Sequence, residues 1–523
     1  MKLLFIIFGI AFFYTSVYAQ GQPTELWQAI EPAGSVNIKS PTIALDGFQN
    51  TYMLTNQTDE RPLGGFTLVK YDTLGNLLWK QNSTGSFSGI FYGSFLVDTI
   101  GNVYVSENYD GGLPGYDADA ILVKYDPDGT KLWMANYGLN QVGDSYIYYS
   151  EMDTLNGRLI TLGMNLHDTA LAENFLFVQA IDTSDGSVIW NTKIFGVFRP
   201  QNLRIQSDHI QLLATDFTSN GKYFVNAMLD FDGNLTAQYQ KPYSGYAIDF
   251  NYISRTGDVI FGNRAFGYTV TRINIEGDTL WGYEPQNIIY SIKNKILSIS
   301  EDEDLNIYAT GAVESLSLGT EQLTLKFDKL GNVLWENTYN SYNDSLVDYG
   351  IYSIPYKNYL FVTGGTQLEN MDIIGIMKIF DKNTGSCIYE IKKPENNIFV
   401  INKSISKGDK VFYSAEGFQQ NLNNILVVTG CFQLPEITSY NETKTTLAVT
   451  LGPNPAADYV NVLKIDTNVL KKIIIYDVNG KIMIIKGIED KQEQIDISNL
   501  KSGIYLVSVC GKGLCINKKI IKI

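Results

Sequence analysis

Phe66-Thr-Leu-Val-Lys-Tyr-Asp72-Thr-Leu-Gly75-Asn76-Leu-Leu-Trp79 holds two short apolar runs separated by an Asp-x-x-Gly-Asn turn. Aromatic and β-branched residues favour extended chain in the first run. Asp accepts local backbone hydrogen bonds and Gly supplies a positive φ, so the middle reads as a hairpin turn. The unit recurs as Ile121-Leu-Val-Lys-Tyr-Asp126-Pro-Asp128-Gly129 leading to Trp133, and as Leu323-Thr-Leu-Lys-Phe-Asp328-Lys-Leu-Gly331-Asn332 leading to Trp335. All six Trp of the chain fall in this context: Trp27, Trp79, Trp133, Trp190, Trp281 and Trp335. Tyr239 and Tyr389 take the same place in two weaker copies. A further strand precedes each unit, as in Gly101-Asn102-Val103-Tyr104-Val105.

The eight aromatic markers are spaced by 52, 54, 57, 49, 42, 54 and 54 residues. A period near fifty residues with four short strands is that of a β-propeller blade. One such unit cannot cover its own apolar faces, so neighbours must stack and the row must close into a ring. Seven units end at Trp79, Trp133, Trp190, Tyr239, Trp281, Trp335 and Tyr389. An eighth strand set, 398–430, has no Trp strand of its own, whereas the Trp27 strand has no unit. The expectation is an all-β, eight-bladed propeller over 20–433, closed by three C-terminal strands and one N-terminal strand. Seven blades with an irregular extra hairpin are the alternative. The repeats resemble the bacterial β-propeller repeats of secreted proteins and, more loosely, quinoprotein-like propellers.

The chain of 523 residues has 13% aromatic residues and only 18% charged ones, as expected for a turn-rich, strand-rich globular protein. Its net charge of −15 argues against nucleic acid or an anionic membrane surface as partner. The charge is uneven: 448–523 carry 11 Lys against 7 Asp and Glu, a balance of +4, while the body is strongly acidic. Residues 1–19 read as a signal peptide, with Lys2, an apolar run from Leu3 to Val17 and a small-x-small site at Val17-Tyr18-Ala19. An uncleaved anchor is the alternative. No later stretch is long and apolar enough for a spanning helix.

Residues 434–449 are polar and Thr-rich and read as a linker to a second β domain, 450–523. That segment contains Pro453-Asn454-Pro455-Ala456 with Asp458, then Tyr476-Asp477-Val478-Asn479-Gly480-Lys481, then Asp496 to Leu500 before Gly503-Ile504-Tyr505, and a Lys-rich end. It resembles the type A C-terminal sorting domain of the type IX secretion system. The resemblance implies a small antiparallel β-sandwich, recognition by the outer-membrane type IX translocon, and removal by a sortase-like protease. It thereby implies a secreted or surface-attached protein. The sorting-signal residues it singles out are Pro453, Asn454, Pro455, Asp458, Asp477, Gly480, Gly503 and Tyr505. From the residues alone, the prolines fix backbone and the glycines supply turns. Cys510 and Cys515 flank a four-residue turn and could form a disulfide across a hairpin in an oxidising compartment. Two buried free thiols are the alternative.

Catalytic signals are sparse. The two histidines, His167 and His209, lie in different repeats without a companion motif. No GxSxG, HExxH, P-loop or CxxC pattern occurs, and no catalytic or cofactor-binding residue is assigned. Asp110, Asp117 and Asp119 are weak calcium candidates, as is Glu301-Asp302-Glu303-Asp304; neither has EF-hand spacing. Asp-Thr/Ser-apolar triplets such as Asp72-Thr73-Leu74 resemble O-glycosylation sites of bacteria with type IX secretion, and also suit blade turns. The expected function is binding of an extracellular glycan or protein by the propeller. A polysaccharide- or peptide-degrading enzyme and a cell-envelope spacer are the alternatives.

Overall fold

A computed structural model describes residues 23–32, 41–57, 65–83, 94–109, 119–137, 144–166, 174–196, 198–216, 223–242, 247–264, 268–285, 294–314, 319–339, 347–367, 373–393, 398–419, 424–434, 449–463, 470–477, 482–511 and 514–523. Residues 1–19, read above as a signal peptide, lie outside this set. Every regular element described is a strand. Up to residue 434 the strands form eight antiparallel sheets of four. We number these blades by their innermost strands: Thr42–Leu45, Phe95–Val97, Asp144–Asp153, Phe198–Ile205, Ala247–Ile253, Lys295–Glu301, Asp348–Tyr356 and Ile398–Lys407. Each innermost strand packs on that of the next blade, and the eighth packs back on the first. The body is a closed β-propeller.

The closing sheet joins the two segments that the repeat left over. Thr24–Pro32 pairs antiparallel with Asn424–Gln433, placing Trp27 opposite Cys431 and Ala29 opposite Thr429. Polar contacts reinforce the seam: Tyr413 Oη donates to Glu25 Oε1 at 2.7 Å, and Gln28 Nε2 donates to Tyr413 Oη at 3.0 Å.

The turn read from Asp72 is built as its residues require. Asp72 Oδ1 accepts the N–H of Leu74 and of Asn76, both at 2.8 Å, and Oδ2 accepts Asn76 Nδ2. Gly75 has φ +84°, and a Cβ there would lie 2.5 Å from the Trp27 ring. Each outer Trp thus lies on the turn glycine of the following blade. The pairs are Trp27 on Gly75, Trp79 on Gly129, Trp133 on Gly186, Trp190 on Gly233, Trp281 on Gly331 and Trp335 on Gly385. The indole N–H of Trp79 donates to Pro127 O at 2.9 Å and that of Trp335 to Lys382 O at 3.0 Å, each one residue past the turn Asp. A buried lysine on the adjacent strand reaches the same carbonyl: Lys70 at 2.7 Å from Pro127 O, and Lys326 at 2.8 Å from Lys382 O. Each of these ammonium groups also lies over a buried tyrosine ring, Tyr52 or Tyr308.

Between blades 4 and 5 the device changes. Tyr239 replaces Trp, and Asn226 Nδ2 donates to Ile275 O at 2.8 Å in place of the lysine. Asn226 Oδ1 in turn accepts Gln211 Nε2 at 3.0 Å.

The C-terminal strands form two sheets, one of Thr450–Gly452, Tyr459–Leu463 and Gln492–Asp496, the other of Ile482–Gly487, Lys472–Tyr476, Gly503–Gly511 and Leu514–Lys522. They enclose one apolar core including Val460, Val462, Ile473, Ile475, Ile495, Val507 and Ile520. Val449 belongs to this core and Leu434 to that of blades 7 and 8, so both ends of the segment read as a linker are packed.

Two substitutions test the interblade contact. Trp335→Ala should cost about 3–5 kcal/mol, the usual range for a large buried aromatic. Gly385→Ala should also destabilise, because its φ is +71° and a Cβ would meet the Trp335 ring at 2.6 Å. Urea unfolding of both variants checks this; neutrality of Gly385→Ala would mean the turn is not held against the indole.

Candidate functional site

The inner strands are linked from blade to blade by polar groups. Ser94 Oγ lies 2.6 Å from Ser150 Oγ, and Ser353 Oγ lies 3.2 Å from Ser298 Oγ and 3.0 Å from Ser300 Oγ. Asn202 Nδ2 donates to Asn251 Oδ1 at 3.1 Å. Lys403 Nζ donates to Thr42 Oγ1 at 3.3 Å across the closure, and Lys407 Nζ to Asp46 O at 2.7 Å. Bulges interrupt the innermost strands of blades 3 to 8, between Ile147 and Tyr149 in blade 3 and between Gly350 and Tyr352 in blade 7, for example. An unpaired residue bends the strand and turns side chains away from the ladder.

Charged groups form one continuous run across blades 3 to 6. Glu151 Oε2 accepts the Ile205 N–H. Arg204 Nη1 donates to Ile253 O at 2.7 Å and to Tyr252 Oη at 3.2 Å, with its guanidinium over the Tyr252 ring. Glu301 Oε2 accepts the Arg255 N–H at 3.0 Å. Burial pushes the Glu151 carboxyl up to about 7, against the opposing pull of the Ile205 N–H and of Arg204. Burial also raises Glu301, opposed by the Arg255 N–H and by the Arg255, Arg204 and Arg272 charges. Lys403 is lowered by burial alone. Arg204 therefore sits near two carboxyls that hold their protons more tightly than free glutamates do. Such a constellation can take or give a proton near neutral pH and can hydrogen-bond a polar ligand.

Of these residues only Glu301 was singled out by sequence, and there as part of the acidic run Glu301–Asp304 read as a calcium candidate. Glu151, Arg204, Tyr252 and Arg255 stand in no motif. The other residues that were singled out fare differently. Asp110 and Asp117 lie outside the described residues; Asp119 accepts Asn136 Nδ2 at 2.6 Å. Asp302 is used by its own turn, accepting the N–H groups of Asp304 and Asn306 and the Tyr308 hydroxyl. Among the described residues no group of three or more His, Cys, Asp and Glu could hold a metal ion. His167 lies outside the described residues, and His209 Nδ1 is 2.8 Å from Asp208 Oδ1. Cys387 and Cys431 are free thiols.

The structure ties much of the C-terminal motif to the end of the chain. Asn454 Nδ2 donates to Lys519 O at 3.0 Å, and its Oδ1 accepts the Ile521 N–H at 2.9 Å. Ala456 continues the bridge, its N–H donating to Ile521 O at 2.8 Å and its carbonyl accepting the Ile523 N–H at 2.9 Å. Pro453 and Pro455, both preceded by cis bonds, flank this asparagine. Asp458 O accepts the Ile497 N–H at 2.8 Å, and Tyr505 Oη donates to Lys501 O at 2.8 Å, closing the loop before Gly503. Asp477 ends the strand Lys472–Tyr476, and Gly480 lies outside the described residues. Cys510 is disulfide-bonded and stands directly opposite Cys515 in the ladder.

Residues 451–523 match the model of the secretion system C-terminal sorting domain. This domain is a type IX sorting signal. The sorting domain marks the chain for export to the cell surface or medium, and for contact with the type IX machinery. No curated protein matches the chain. Similar solved structures include the WD40 domain of SCAP from fission yeast, at 10% identity over 77% of this chain and 98% of that one, TM-score 0.43. The Dos1 propeller is 10% identical over 65% of this chain and 92% of that one, TM-score 0.40. The WD40 domain of Toxoplasma gondii coronin is 10% identical over 64% and 80%, TM-score 0.34. No helix among the described residues is long and apolar enough to cross a membrane.

Two measurements check these sites. Because burial raises Glu151 in the folded state from its ordinary value of 4.5 to about 7, its protonated form stabilises the fold at low pH. That stability should be lost as pH rises from about 4.5 to about 7. Glu151→Gln removes the titration, so the melting temperature of wild type relative to the variant should fall between pH 5 and pH 8. Asn454→Ala should speed amide exchange at Ile521 and Ile523 severalfold, one hydrogen bond being worth about 1 kcal/mol.

Proposed function

We propose that the propeller, once exported by the sorting domain, binds an extracellular glycan or protein through the axial run of Glu151, Arg204, Tyr252, Arg255 and Glu301. The observation that carries this reading is the run itself: charged and aromatic groups from four successive blades meet along the inner strands. A fold needs only apolar packing and small hydroxyls there, as Ser298 and Ser353 illustrate. Guanidinium forks and tyrosine faces suit the hydroxyls and amides of sugars and peptides. We also infer that Cys510 bonds Cys515, and that a sortase-like protease removes the sorting domain after translocation.

A second reading, hydrolysis of a polysaccharide or peptide, draws on the raised carboxyls of Glu151 and Glu301. General acid chemistry needs a carboxyl that keeps its proton near the working pH.

Secreted protein purified from the medium should be screened against glycan and peptide libraries beside Arg204→Ala. Binding that weakens at least about tenfold in the variant, a loss near 1.4 kcal/mol, supports the ligand reading. Turnover of a polymer that disappears in Glu151→Gln would replace it with the enzyme. Neither binding nor turnover would leave a spacer role. Deletion of 451–523 should hold the propeller in the periplasm, detected by cell fractionation.

A further inference from the structure

We propose that the sorting domain is held against its own propeller: the outer face of its four-stranded sheet docks on the inner turns of blades 2 and 3. Side chains alternate between faces along a strand. Ile473 and Ile475 of one strand, and Tyr505, Val507 and Val509 of its neighbour, point into the domain's core. Ile474, Leu506, Ser508 and Cys510 therefore point the other way, where a lone domain would meet water. They are nevertheless buried, with Ile474 at 2% exposure and Leu506 at 3%. Ladder pairing of Ile474 with Ser508 and of Tyr476 with Leu506 gathers them into one patch.

The cover is the propeller. From the same face, Lys472 Nζ donates to Leu155 O, in the turn that follows the inner strand of blade 3. Burial lowers the Lys472 ammonium, with Asp153 of that turn opposing. Burial raises the Tyr476 hydroxyl to about 12, with Asp98 of the blade 2 turn adding to the rise.

The connection favours this placement independently. Leu434, the last described residue of the propeller, donates its N–H to Asp409 O at 2.8 Å, in the inner turn of blade 8. Inner turns of all blades lie on one face of the ring, so the chain leaves the propeller on the face where the sorting domain sits. The undescribed residues 435–448 can reach on the order of 50 Å when extended, enough to cross that face. A tether of this length keeps a docking partner at millimolar effective concentration, so a modest contact suffices. Charge assists, because a domain of net positive charge meets an acidic body. Removal of the sorting domain would uncover the turns Asp98–Asn102 and Asp153–Gly157, giving the mature protein a surface that its precursor lacks.

The test uses the full-length precursor. Lys472→Cys is paired with Leu155→Cys, or with Asp304→Cys in the inner turn of blade 6 as control, in a Cys387→Ser background. A short bismaleimide should link the first pair within one chain at least about tenfold more than the control, as proximity dictates. Equal capture of both pairs, links only between chains, or no link would overturn the proposal. Zero-length carbodiimide coupling of the unmodified chain gives a second readout. Lys472 should be recovered joined to Asp153 or another carboxylate of the same turn face, and recovery of Lys472 only with sorting-domain carboxylates would also overturn it.

Discussion

The propeller depends on one repeated contact, an indole laid on the glycine of the next blade's hairpin turn. The glycine is required twice over. Its positive φ closes the Asp-x-x-Gly turn, and its missing side chain leaves room for the ring. At Trp79, Trp133 and Trp335 the indole N–H and a buried lysine converge on one turn carbonyl, so there the apolar contact is also oriented by hydrogen bonds. A four-stranded sheet alone exposes both faces to water. Six such contacts, the amide ladder between blades 4 and 5, and the packing of Tyr389 with Tyr413 and Phe432 between blades 7 and 8 fix how each sheet covers its neighbour.

Closure follows from the same constraint. The last blade has no Trp strand of its own, and the first strand of the body supplies it. Trp27 lies on Gly75 of blade 1 while its strand pairs with Asn424–Gln433 of blade 8. The ends of a chain segment some four hundred residues long are thereby stitched in one ladder, which prevents the ring from opening at its seam.

The rigid ring leaves its axial wall free to carry groups that packing does not demand. Glu151, Arg204 and Glu301 are partly or wholly withdrawn from water, and their satisfaction depends on partners from adjacent blades. Withdrawal from water is what raises the two glutamates, so the chemistry of the wall is set by ring geometry rather than by any local motif. The sorting domain shows a contrasting economy: Asn454 and Ala456 hold the last residues of the chain by backbone hydrogen bonds, so a short local motif secures the terminus.

The sequence by itself determined the blade unit, the closure by a borrowed N-terminal strand, the change of domain near residue 450 and the sorting motif. These are written in local chemistry: strand alternation, Asp and Gly at turns, an aromatic at fixed spacing, and a motif within about seventy contiguous residues. Only the tertiary structure decided which charges meet at the axis. Glu151, Ile205, Tyr252 and Glu301 are each separated by about fifty residues; no periodicity marks the lone Glu151, and the acidic run that holds Glu301 does not say what it will meet. The face of the sorting sheet that is covered was equally illegible, because alternation in Lys472–Tyr476 is masked by apolar residues on both sides. A strand buried on both faces has no period, and what buries its second face is a fact of the folded chain.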